Sequence, residues 1–126
     1  MNFDSFDRDK EFESALIRNN SHSCLKSFRL ERGTLSITVA PFHDQDDELI
    51  ATFQDVRLQN FDLFDVEEND GLPWDIMGLN CKDHEEDLSF FCIHCQECEM
   101  IFLARWPKVI IPAETRANVI SLVPRS

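Results

Sequence analysis

In the first nineteen residues the apolar positions are Phe3, Phe6, Phe12, Leu16 and Ile17, set among charges with neither Gly nor Pro. That spacing lines one face of a helix over residues 3–19, and Asp4 can cap its first turn. Asn19-Asn20-Ser21 ends the pattern, and from His22 onward the period becomes two. Leu25 to Glu31 alternates weakly and Thr34 to Ala40 cleanly, with Leu35, Ile37 and Val39 on one face. Glu31-Arg32-Gly33 between them supplies a tight turn, so the pair reads as a hairpin.

Pro41 to Asp47 is a polar, acidic loop, and Leu49, Ala51 and Phe53 line a third strand. The phase then slips: Val56 and Leu58 fall on the opposite parity and Phe61 and Leu63 reverse it again, which predicts a bulge or two short strands. Asp65 to Pro73 reads as a loop, Trp74 to Asn80 as a strand, and Lys82 to Asp87 as a turn. Leu88 to Cys95 and Met100 to Trp106 form a second hairpin, which Val109 to Ile111 continues beyond Pro107. Residues 112–126 form a C-terminal tail, with room for a short helix or a final strand, and the closing Leu-Val-Pro-Arg-Ser resembles part of a protease-cleavage linker. The expected fold is mainly β in the α+β sense: an antiparallel sheet over residues 22–111, curled or folded into a small sandwich, with the N-terminal helix packed on it. A length of 126 residues fits one apolar core and not two, so residues 1–126 are expected to be a single domain.

Charge sharpens this picture. The net charge is −12, but the window from His43 to Glu99 holds seventeen acidic residues against Arg57 and Lys82 alone, while the remainder is slightly basic. Such a field repels phosphate backbones, so nucleic acid is not an expected partner, and it speeds encounter with basic proteins. The candidate contact residues are Asp44, Asp46 and Asp47 on one turn, Glu67, Glu68 and Asp70 on a second, and Glu85, Glu86 and Asp87 on a third. Phe64 and Trp74 are the candidate apolar anchors. The acidic, weakly apolar start is no signal peptide, no apolar run approaches the length of a membrane span, and an odd five cysteines suit a reducing compartment. A cytoplasmic protein without membrane association is expected, as a monomer or a homodimer paired through Phe-rich edge strands.

Candidate chemistry is sparse. Cys92, Cys95 and Cys98 show two overlapping C-x-x-C spacings with His84 upstream, the alternative reading being a zinc-binding or redox-responsive domain. Against zinc, no Gly or Pro shapes the turn, and in a strand Cys92 and Cys95 point to opposite faces. An EF-hand register on Gly71 puts Val66 and Met77 at the carboxylate positions and fails. There is no G-x-S-x-G, no H-E-x-x-H and, with three Gly in all, no phosphate-cradling loop. His43-Asp44 in its acidic loop could act as a general-base pair, but adjacency in sequence does not create the geometry that catalysis requires, and a nucleophile is lacking. No catalytic activity and no cofactor are expected.

Four stretches carry a resemblance: Ser21-His22-Ser23-Cys24-Leu25, Arg32-Gly33-Thr34-Leu35-Ser36-Ile37, Ala51-Thr52-Phe53-Gln54-Asp55-Val56, and Phe90-Phe91 in a late aromatic strand. In this order, across roughly residues 21 to 106, the chain resembles the immunity protein 50 type of bacterial polymorphic toxin systems. The resemblance implies an intracellular domain that binds a cognate toxin and occludes its active site.

Overall fold

A computed structural model describes residues 8–17, 22–63, 72–85 and 87–112. The chain runs α1 (Asp9–Leu16), β1 (Ser23–Glu31), β2 (Thr34–Pro41), β3 (Leu49–Phe53), β4 (Arg57–Leu63), β5 (Trp74–Asp83), β6 (Leu88–Cys95), β7 (Cys98–Arg105) and β8 (Lys108–Ile110). All pairings are antiparallel, in the spatial order β4-β7-β6-β5-β1-β2-β3-β8. The sheet is curled and not closed. β5 meets β1 at only two residue pairs, Cys24 with Asp75 and Leu25 with Trp74, so the sheet folds at that seam into two facing layers.

Two tight turns fix the hairpins. Between β1 and β2, Arg32 and Gly33 both have positive φ, 54° and 77°, the backbone of a two-residue turn whose twist matches the strands. Between β6 and β7 the loop is Gln96-Glu97, held by Gln96 N–H donating to the Asp75 carbonyl at 2.9 Å. The slip in phase after Phe53 has two causes. Asp55, at φ 56°, ends β3 and sends the chain to the other layer, and β4 then carries a bulge at Gln59, between Leu58 and Asn60.

Period-two apolar positions meet between the layers. Leu35, Ile37 and Val39 of β2 and Leu49, Ala51 and Phe53 of β3 face Phe91, Ile93 and Cys95 of β6 and Cys98, Met100 and Phe102 of β7, all buried. An aromatic cluster ties the layers together, with Phe53 ring centroids 5.0 Å from Phe91 and 4.9 Å from Phe102. The helix closes the seam. Because β5 outruns β1, its far edge lacks a strand neighbour among the described residues, and α1 lies along it, inserting Phe12 and Leu16 into the core.

Several expectations are corrected here. The segment after Pro107 does not continue the second hairpin: β8 pairs with β3 at the opposite end of the sheet, because proline cannot extend a ladder and the chain crosses layers there. β5 runs three residues beyond Asn80, so Lys82 and Asp83 are strand and the turn begins at His84. The helix covers residues 9–16, and the expected extensions to residues 3–7 and 18–19 lie outside the described residues, as do Asp4 and the tail beyond residue 112. No helix among the described residues is long and apolar enough to cross a membrane.

Candidate functional site

The first acidic turn is built as a rigid knob. Phe42 N–H donates to the His22 carbonyl at 2.7 Å, Asp44 N–H to Pro41 at 3.1 Å, and Asp47 N–H to Asp44 at 3.1 Å. From β1, Lys26 Nζ reaches across to the Gln45 carbonyl at 2.7 Å and to Glu48 Oε2 at 2.5 Å. Lys26 occupies the extra position of a bulge between Leu25 and Ser27, which turns its side chain toward the loop. Glu48 is thus neutralised, whereas Asp44 and Asp46 stand exposed and Asp47 half-buried beside them.

An aromatic side chain that sequence reasoning passed over completes this turn. Phe42 is 46% exposed, its ring tilted against the His22 ring at 5.8 Å between centroids, and His22 Nε2 is in turn paired with Asp75 Oδ1. A large apolar side chain held in place beside carboxylates is the arrangement that interface anchors show. The only signal in the sequence was that Phe42 follows Pro41 at the loop's start.

The other expected contact residues are dispersed. Trp74 is no surface anchor: it is 6% exposed and packs in the core against Phe28, ring centroids 5.9 Å apart, because it shares the inner face of β5 with buried Ile76. Phe64, Glu67, Glu68, Asp70 and Glu86 lie outside the described residues. Glu85 and Asp87 are exposed on the turn between β5 and β6. Leu88, next to Asp87, pairs with Arg105, whose backbone N–H donates to the Gln54 carbonyl at 3.0 Å and whose Nε donates to Asp55 Oδ2 at 2.6 Å. That turn therefore sits at the Phe53 end of β3, and the turn carrying Asp44 at the Leu49 end, about 13 Å of strand apart. The acidic turns that the structure describes do not merge into one patch.

The alternative metal set is likewise taken apart. Cys95 and Cys98 flank the Gln96-Glu97 turn and face the core, fully buried, while Cys92 points to the opposite face of β6. His84 is at the far end of β6, its ring 5.0 Å from Phe90. Among the described residues no three His, Cys, Asp or Glu side chains gather as metal ligands. Cys95 donates its S–H to Cys98, which holds Cys95 far above the ordinary thiol range and draws Cys98 below it. His43 is exposed on the 42–48 loop. On the outer face of β5, β6 and β7, Asn80, Lys82, Phe90, Cys92 and Ile101 line a hollow of about 270 Å³.

Burial pushes the Cys81 thiol up to about 11, with Asp83 and Asp9 adding to the effect and Arg8 opposing it. The folded state thus binds this proton more tightly than the unfolded chain does, so the stabilisation is complete below the ordinary thiol value of 9 and is lost as pH rises through 11. The urea midpoint is expected to fall across that window, and less steeply in Cys81→Ala. Equal slopes in the two proteins would contradict it.

No family model, curated protein or solved structure matches this chain.

Proposed function

We propose that the protein is an acidic protein-binding module that docks onto a basic surface of a partner through the 42–48 turn. The observation that carries this reading is the pinned turn itself, in which exposed Phe42 sits beside Asp44, Asp46 and Asp47. Holding these groups in place before binding lowers the ordering cost of association. The carboxylates accelerate encounter, and the aromatic ring supplies contact area that resists dissociation. A basic toxin, neutralised by occlusion of its active site, is the partner class that the resemblance to immunity proteins favours.

The test is to recover a partner from the native host on the immobilised protein, then to measure its association rate against salt with purified components. Asp46→Lys is expected to lower the association rate several-fold at low salt, and Glu85→Lys, at the other end of β3, to change it much less. Phe42→Ala is expected to raise the dissociation rate about tenfold, the effect of losing one anchor worth ~1.4 kcal/mol. An association rate indifferent to salt, or a Phe42→Ala variant that dissociates as the native protein does, would refute the proposal. For the toxin reading in particular, co-expression with the recovered partner should rescue growth.

A further inference from the structure

We infer that two copies of this chain pair edge to edge through β4, antiparallel about a two-fold axis between Gln59 and Asn60. β4 ends the strand order, so its outer edge is unpaired among the described residues, and all seven of its residues are exposed. Leu58, Phe61 and Leu63 are 45%, 40% and 42% exposed. Edge strands are ordinarily guarded by charged side chains, especially Lys, by Pro or by bulges; β4 has neither Lys nor Pro, and its charges and its bulge fit a second copy of the same strand.

The bulge decides the register. In the ladder with β7, Leu58 lies opposite Phe102, Phe61 opposite Met100 and Leu63 opposite Cys98, all core-facing, so these three share the inner face. Arg57, Asn60 and Asp62 lie opposite Leu103, Ile101 and Glu99 and share the outer face. In a regular strand Leu58 and Phe61, three positions apart, would fall on opposite faces, and the bulge at Gln59 brings them onto one. A two-fold axis perpendicular to the sheet must place like faces opposite each other. Centred between Gln59 and Asn60, it sets Leu58 against Phe61 of the partner subunit, both inner, and Arg57 against Asp62 of the partner subunit, both outer. Each contact occurs twice. Shifting the register by one residue in either direction puts inner residues opposite outer ones.

Charge favours the same register. Within one copy Asp62 faces Glu99 across the ladder, a like-charge pair that is unfavourable in antiparallel sheets. Arg57 of the partner subunit would stand on the other side of Asp62 as its counter-ion. β4 itself is electrically balanced by Arg57 and Asp62 although the chain carries −12, and at physiological salt the Debye length of about 8 Å damps repulsion between the distant acidic turns.

Sedimentation equilibrium of the purified chain at physiological salt is expected to show a monomer–dimer equilibrium with twice the 14.7 kDa mass at saturation. Arg57→Asp and Asp62→Arg alone should each weaken self-association tenfold or more, since each homodimer then sets two like-charge pairs together. Mixed in equal amounts, the two variants should dimerise again, because only the heterodimer has opposite charges at both positions. Both residues are exposed, and circular dichroism should show each variant folded. A native chain that stays monomeric up to about 1 mM would overturn the inference. So would a dimer that neither substitution weakens, or variants that fail to restore one another.

Discussion

Replacing Phe91 by alanine is expected to destabilise the protein by about 3–5 kcal/mol, the largest effect of any single core substitution in this chain. Phe91 is fully buried, and its ring centroid lies 4.9 Å from Phe12, 5.0 Å from Phe53, 5.5 Å from Phe102 and 5.8 Å from Trp106. Those four partners come from α1, from β3 in one layer, from β7 in the other, and from the crossover after β7. Removing the ring therefore opens a cavity where helix and both layers meet, and rigid strands on two sides limit how far the site can collapse. Against a total of about 5–15 kcal/mol for a domain of this size, the loss would leave a marginal fold. Urea unfolding measures it. Phe90→Ala, one residue earlier on the outer face, should cost much less, because that ring is only half-buried beneath His84 and Lys82. Equal costs at the two positions would mean that the alternation of faces along β6 is wrong.

That contrast also shows what the sequence could and could not reveal. Residues 88–95 form an apolar, aromatic run bounded by polar turns, so β6 was legible, and so were the β1–β2 hairpin and its turn, because period-two patterning and a Gly in a tight turn are local properties. The pairing of β8 with β3 was not legible. Its three residues are short and exposed, and their partner is fixed by where the chain re-enters after Pro107 and not by their own pattern. Trp74 misled for a related reason: a tryptophan after a loop reads as a surface anchor, yet it begins β5 at the seam where the two layers join. Of the candidate site, the carboxylates of the 42–48 turn were visible as composition. The exposure of Phe42, held by His22 just before β1 and through it by Asp75 of β5, depends on long-range contacts that no window of sequence contains.

The second large effect is expected at Asp9, where the helix meets the sheet. β5 extends past the start of β1, so from Ile76 to Asp83 its outer edge has no strand beside it among the described residues, and its backbone donors need partners from elsewhere. Asp9 supplies one of them, Oδ1 accepting the Cys81 N–H at 2.8 Å, while its Oδ2 accepts the side-chain Nδ2 of Asn80 at 2.9 Å. Arg8 reinforces the junction, donating to Asp83 Oδ1 at 2.8 Å with its guanidinium 4.2 Å above the Trp106 ring. Asp9→Ala removes both acceptors and leaves the Cys81 N–H unpaired at the edge of a buried strand, a loss of about 2–3 kcal/mol for hydrogen bonds to a charged group. Asp9→Asn should recover part of this, since an amide oxygen can still accept the Cys81 N–H. Hydrogen exchange separates a local from a general effect. The amide of Cys81 should lose protection in Asp9→Ala more than those of Ile93 or Ile37, which lie within paired strands. If protection fell equally at all three, Asp9 would be stabilising the fold as a whole, and the helix would not be the specific cover for the edge that β1 leaves open.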